Sequence, residues 1–125
     1  MNSVPIESLR SVWPSVRPLL EKLAKDNKQD WIAEDVYREV ISGKARLFIV
    51  EGGVLVTIPE IEEFTHAKVL RVWCGIGEGH DYEARLEELK EHAREFGFDK
   101  ITFESNRAGW KKRFPVVSIC YCINL

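Results

Sequence analysis

The stretch Lys68-Val69-Leu70-Arg71-Val72-Trp73-Cys74, followed by Gly75-Ile76-Gly77-Glu78-Gly79, decides how the chain reads. The first part is rich in β-branched and aromatic residues, the composition of a strand, and the glycines read as a turn whose backbone can come close to a ligand. Beyond them the apolar residues Tyr82, Leu86, Leu89, Ala93 and Phe96 are spaced four, three, four and three, which lays one stripe along a helix of period 3.6. Asp81 is placed to cap the first turn and Gly97 to take the left-handed conformation that ends it, so the helix is expected over Tyr82 to Phe96. Arg85 and Glu88, Glu87 and Lys90, and Glu91 and Arg94 give a solvated outer face of opposite charges three apart. His92, four residues from Glu88, falls on the polar side. Lys100 to Ser105 then alternates apolar and polar residues, and strand, helix and strand together read as a right-handed crossover joining two parallel strands. The start of that helix is a candidate phosphate site.

Toward the N-terminus, Ile6, Leu9, Val12 and Trp13 have helical spacing, but Pro14 and Pro18 follow. A helix is therefore expected from Ser15, with Pro18 in its first turn and Val16, Leu19, Leu20 and Leu23 as its apolar face. A polar loop, Lys25 to Asp30, leads to a second helix over Ala33 to Ser42, with Val36, Val40 and either Tyr37 or Ile41 on one side and a stop at Gly43. Arg46 to Glu51 reads as a strand, Gly52-Gly53 as a tight hairpin turn and Val54 to Ile58 as the antiparallel return. Pro59 and the acidic run Glu60-Ile61-Glu62-Glu63 carry the chain into the central strand. Toward the C-terminus, Asn106 to Phe114 reads as a short basic helix closed by Pro115. In Val116 to Leu125, Val117, Ile119, Tyr121 and Ile123 alternate with Ser118, Cys120, Cys122 and Asn124, which predicts a last strand.

The 125 residues make one domain, 1–125, with a formal net charge of -2. No global basic field draws this chain to nucleic acid, although Arg107, Lys111, Lys112 and Arg113 form a local basic cluster suited to phosphates or a solvated face. The three cysteines are odd in number and lie in apolar runs, where free cysteine acts as a small buried hydrophobe rather than a metal ligand. His66, His80 and His92 are too scattered for a metal site; His80, beside the glycines, is the one functional candidate among them. Trp73 reads as core, with an adenine or acyl contact as the alternative. Glu7 and Arg10 interrupt any signal-peptide core, and no apolar run approaches the roughly 18 residues of a membrane span, so a soluble, cytoplasmic protein without membrane contact is expected. No phosphate-binding loop, nucleophile elbow or His-Glu-x-x-His is present.

The order helix, helix, three antiparallel strands, glycine-rich stretch, helix, strand, short helix, strand resembles the GNAT superfamily of acyl-CoA-dependent N-acetyltransferases over nearly the whole chain. Val12-Trp13-Pro14-Ser15-Val16-Arg17-Pro18-Leu19-Leu20, Asp35-Val36-Tyr37, Gly43 to Val50 and Gly109-Trp110 look most like small GNAT-like proteins of tailed bacteriophages. The resemblance implies an α+β (α/β) fold: a mixed, mostly antiparallel sheet, helices on both sides and a central opening between two strands. It implies acetyl-CoA as the cofactor, with Gly75, Ile76, Gly77 and Gly79 at its pyrophosphate and Asn106 at the end of the next strand. The family's Arg or Gln ahead of the glycines is absent, Glu78 and Asp81 add negative charge, Arg113 stands where the family carries Tyr, and no carboxylate lies within Lys68 to Cys74. Glu60, Glu62 and Glu63 are the nearest alternatives for a base. Two readings stay open: transfer of an acetyl group to an amine, or a non-catalytic phage protein that serves in the virion or its morphogenesis or binds a host protein.

Overall fold

Helix α1 runs Ile6–Asp26, so it begins well before Ser15, and Pro14 and Pro18 lie inside it. The reason is packing: Leu9, Val16, Leu20 and Leu23 are all buried on one stripe. Each such residue gains roughly 1.5 to 3 kcal/mol on burial, which together outweighs about 3 kcal/mol for an interior proline. The carbonyls that lose their N–H partners belong to Arg10 and Pro14, both exposed, where water replaces the lost donor. The computed structural model describes residues 1–77, 82–105 and 108–125.

Helix α2 (Ala33–Ile41) buries Val36 and Val40 as the sequence indicates. Its first turn is closed by the Ile32 N–H donating to Asp35 Oδ2 at 2.9 Å, and Gly43 leaves it at φ +84°. The sheet has the order β1 (Arg46–Val50), β2 (Gly53–Ile61), β3 (Lys68–Gly77), β4 (Lys100–Phe103). The first two pairings are antiparallel and β3 with β4 is parallel, joined by α3 (Tyr82–Glu95). Two boundaries differ from the sequence reading. Val50 pairs with Gly53, so the hairpin loop is Glu51-Gly52, with Gly52 at φ +74°, and Gly53 already belongs to β2. β2 also continues through Pro59 to Ile61, because β1 ends opposite Thr57 and a residue without an N–H is tolerated where a strand has an edge.

The sheet is covered on both faces. Under α1 and α2 lie Leu47, Val54, Val56, Ile58 and Cys74; under α3 lie Leu70 with Leu89 and Ala93, flanked by Leu55, Val72, Phe98 and Ile101. The α3 stripe is wider than expected. His92 is buried, not on the polar side, with its ring 5.2 Å from that of the fully buried Phe48, whereas Phe96 is half exposed. Of the charge pairs expected on the outer face, Lys90 with Glu87 forms at 3.0 Å, while Arg85 reaches the Glu51 carbonyl instead. The Asp81 cap lies outside the described residues.

The basic segment after β4 is a single 3₁₀ turn, Ala108–Lys112, anchored by Trp110 and Phe114, whose rings lie 5.2 and 5.8 Å from that of Phe103. The last strand is not formed. Val116 to Leu125 has no regular secondary structure and is unpaired, with Val117, Tyr121 and Ile123 more than four-fifths exposed (85, 83 and 86%). Its propensity favours extended backbone, but a strand also needs a neighbouring backbone to pair with. Cys120 and Cys122 are consequently exposed rather than buried; only Cys74 is interior, and all three are free. Among the described residues no helix is long and apolar enough to cross a membrane.

Candidate functional site: an opening between β3 and β4

The two parallel strands are fastened at one end, and at the other β4 stops while β3 continues. At the closed end the Asp99 N–H donates to the Lys68 carbonyl at 2.7 Å and the Lys68 N–H to Asp99 Oδ2 at 2.8 Å. Lys100 Nζ adds an ion pair with Glu62 at 2.7 Å. Pairing then runs from Val69 with Lys100 to Val72 with Phe103 and stops. β3 goes on to Gly77, so its edge from Trp73 to Gly77 has no strand beside it among the described residues on the β4 side. At about 3.3 Å per residue this is roughly 16 Å of open edge, whose N–H and C=O groups are available to a ligand.

A β-bulge in the β2–β3 ladder lies where the pairing with β4 stops. Val56 pairs with Cys74 and Thr57 with Val72, so Trp73 is an extra residue on β3. Trp73 and its neighbour Cys74 both pack toward α1 and α2, where Trp73 meets Trp31 edge-on at 5.7 Å. The core reading of Trp73 therefore holds. Burial pushes the Cys74 thiol up to about 12, which leaves no thiolate for nucleophilic chemistry.

Gly75, Ile76 and Gly77 lie on this edge. They are strand residues paired with Leu55, Val54 and Gly53, not a turn, because β2 extends alongside them. The register sets Gly53, Gly75 and Gly77 on the face that carries α3, so that part of the sheet has few side chains. A Cβ on Gly75 would come within 3.1 Å of Leu55 Cδ1. Glu78, Gly79, His80, Asn106 and Arg107 lie outside the described residues.

The cations of the basic cluster come from the next elements. Packing of Trp110 and Phe114 on Phe103 holds the 3₁₀ turn at the end of β4, with Lys111 and Lys112 exposed on it. Arg113 forms an ion pair with Glu83 in the first turn of α3. Basic groups are thus gathered where β4 ends and α3 begins. The acidic run is elsewhere: Glu60 opposes Val69 at the closed end and pairs with Arg71 at 2.7 Å. Glu62 is held below the usual carboxylate range by hydrogen bonds from Lys100 and Thr65. These carboxylates fasten the sheet about 13 Å or more from Trp73, at 3.3 Å per residue. Among the described carboxylates, Glu104 follows β4 directly and is exposed. The sequence reading missed the bulge and the Glu83–Arg113 pair. A trace of the bulge was present in the run Val72-Trp73-Cys74, where alternation fails; the ion pair left no local signal. Among the described residues no cluster of His, Cys, Asp or Glu is arranged to hold a metal.

No protein-family model matches the sequence, and no curated protein sequence matches it. Solved structures do resemble the fold along its whole length. A structure described as a probable acetyltransferase superposes with a TM-score of 0.71 at 11% identity, covering 99% of this chain and 97% of the other. A ribosomal-protein-alanine N-acetyltransferase from Brucella melitensis biovar Abortus 2308 gives 0.64 at 15%, covering 99% and 98%. A GNAT family acetyltransferase from Staphylococcus aureus subsp. aureus USA300_TCH1516 gives 0.64 at 11%, covering 99% and 96%. The chain therefore has the GNAT acetyltransferase fold: α+β, with three helices around a four-stranded mixed sheet.

Proposed function

We propose that the opening between β3 and β4 binds an acyl-coenzyme A, acetyl-CoA in the first instance, and that the chain transfers its acyl group to an amine. The observation that carries this reading is the β3 edge from Trp73 to Gly77, which has no strand beside it on the β4 side among the described residues and contains Gly75 and Gly77. The pantetheine arm contains two amides, which can add to such an edge as a strand does. The N-terminal end of α3 and the exposed Lys111 and Lys112 supply positive potential for the phosphates. The acetyltransferase names borne by the similar structures support the same reading.

In the reaction, an N–H of the β3 edge donates to the thioester carbonyl oxygen, where negative charge develops as the amine attacks. The C–N bond forms and the C–S bond breaks; the amine proton passes to a base, and the departing thiolate takes a proton from water. Glu104, on the β4 side of the opening, is the described carboxylate best placed to act as that base, directly or through a water.

Isothermal titration with acetyl-CoA, repeated on Gly77→Glu, tests the reading. Micromolar binding that the variant loses supports it, because a carboxylate on the glycine edge blocks the arm and repels phosphate. Absence of heat up to millimolar ligand contradicts it. A second reading is favoured by Arg113, which stands where the resemblance places Tyr and is engaged by Glu83. It makes this a non-catalytic GNAT-fold protein of a tailed phage, acting in the virion or its morphogenesis or on a protein in the cytoplasm of a bacterial host. Binding of acetyl-CoA without turnover across an amine panel would favour it.

A further inference from the structure

A cavity of about 160 Å³ lies between the sheet and the C-terminal end of α3. It is apart from the opening: Leu70, in its wall, precedes Trp73 by three residues, roughly 10 Å along β3. Two local features build it. Arg46 and Thr57 are direct partners across the β1–β2 ladder. Thr57 stands between Val56 and Ile58, which pack toward α1 and α2, so this pair lies side by side on the opposite face, the one that carries α3. On the helix side, Gly97 takes φ +77° and the Phe98 N–H donates to the Ala93 carbonyl at 2.9 Å, a helix end that places Phe96 and Phe98 both against the cavity. Pro59 and Leu70, partners in the β2–β3 ladder, complete the apolar wall, and the His92 ring, 4.6 Å from that of Phe96, extends it.

A gap left by packing alone is lined by apolar groups. Here one wall carries Thr57, fully buried with no hydrogen-bond partner for its hydroxyl among the described residues. Beside it Arg46 forms no ion pair among them, and none of the described carboxylates lines the cavity. A guanidinium and a hydroxyl, each without a counterpart, are the donors that hold a carboxylate. The facing wall is aromatic and aliphatic, and a cavity of about 150 Å³ has room for a benzene ring. We propose that this cavity binds a small aromatic carboxylate of the size of benzoate, its carboxylate on Arg46 and Thr57 and its ring against Phe96, Phe98 and Leu70. Such a ligand gives the buried hydroxyl the acceptor it lacks. The proposal is independent of the acyl-coenzyme A reading.

Backbone amide NMR of the full chain titrated with benzoate tests it, with acetate and benzyl alcohol as probes that keep only the carboxylate or only the ring. The expected result is saturable shifts at Arg46, Thr57, Leu70 and Phe96 to Phe98, at the millimolar or tighter affinity so few atoms allow, with Trp73 to Gly77 unchanged. Acetate and benzyl alcohol should bind at least about tenfold more weakly. Arg46→Gln alters an exposed residue and should weaken benzoate about tenfold with unchanged circular dichroism; Thr57→Val, which keeps the side-chain volume, should weaken it several-fold. Absence of saturable shifts up to about 20 mM benzoate overturns the proposal. So do shifts centred elsewhere, acetate or benzyl alcohol that binds as tightly as benzoate, or either variant that binds benzoate as the unmodified chain does.

Discussion

Thr57 is fully buried on β2, and its hydroxyl has no hydrogen-bond partner among the described residues. It lines a cavity of about 160 Å³ with Arg46, Pro59, Leu70, His92, Phe96 and Phe98. A buried polar group left unpaired costs about 1 to 3 kcal/mol. Thr57→Val, which exchanges the hydroxyl for a methyl of similar size, should therefore raise stability by about 1 kcal/mol in a urea titration; a loss would show that the hydroxyl is satisfied. His92 beside it is held below its usual 6.5, first by burial, then by the chain-terminal ammonium and Arg46, against Glu95 and a backbone bond to Met1 that act the other way. The unfolded chain thus binds more protons as pH falls through 6.5, and stability decreases from there down to the native value. The thermal midpoint should fall over that window, less steeply in His92→Gln; equal slopes would contradict the assignment. Neither feature was legible in the sequence. His92 follows a run of charged residues, and only the sheet's shape decides that the helix turns it inward.

Helix α3 and the antiparallel strands were legible because their apolar spacing and glycine punctuation are local properties, and packing agreed with them. α1 was misread at its start because two prolines are a strong local signal that a long buried stripe overrides. Pro14→Ala restores an N–H to the exposed carbonyl of Arg10 and removes a ring clash, a gain of about 3 kcal/mol offset by about 1 from greater freedom of the unfolded chain. The net increase of about 2 kcal/mol is measurable by denaturant unfolding, and a decrease would mean that the proline is fitted to this helix. The segment Val116 to Leu125 shows the opposite limit: alternation predicts a strand, but none is formed, because alternation cannot supply the neighbouring backbone that a strand needs. At the opening, the glycines were read as a turn that brings backbone close to a ligand, but pairing with Gly53, Val54 and Leu55 makes Gly75 to Gly77 part of a strand.

For the whole molecule, the closed and open ends of the β3–β4 pair set the functional geometry. Asp99, Lys100 and Glu62 hold one end together; at the other β4 stops, next to the bulge at Trp73, while β3 continues; the aromatic cluster of Phe103, Trp110 and Phe114 holds basic residues where β4 ends. The fold alone does not specify chemistry, so the central claim concerns where a ligand sits. The measurement that tests it most directly is a backbone amide NMR titration of the unmodified chain with acetyl-CoA. The account predicts saturable shifts concentrated on Trp73 to Gly77, the first turn of α3 and Ala108 to Lys112, with Val69 to Arg71 little changed. Shifts confined to the α1–α2 face, or none at saturating ligand, would contradict it.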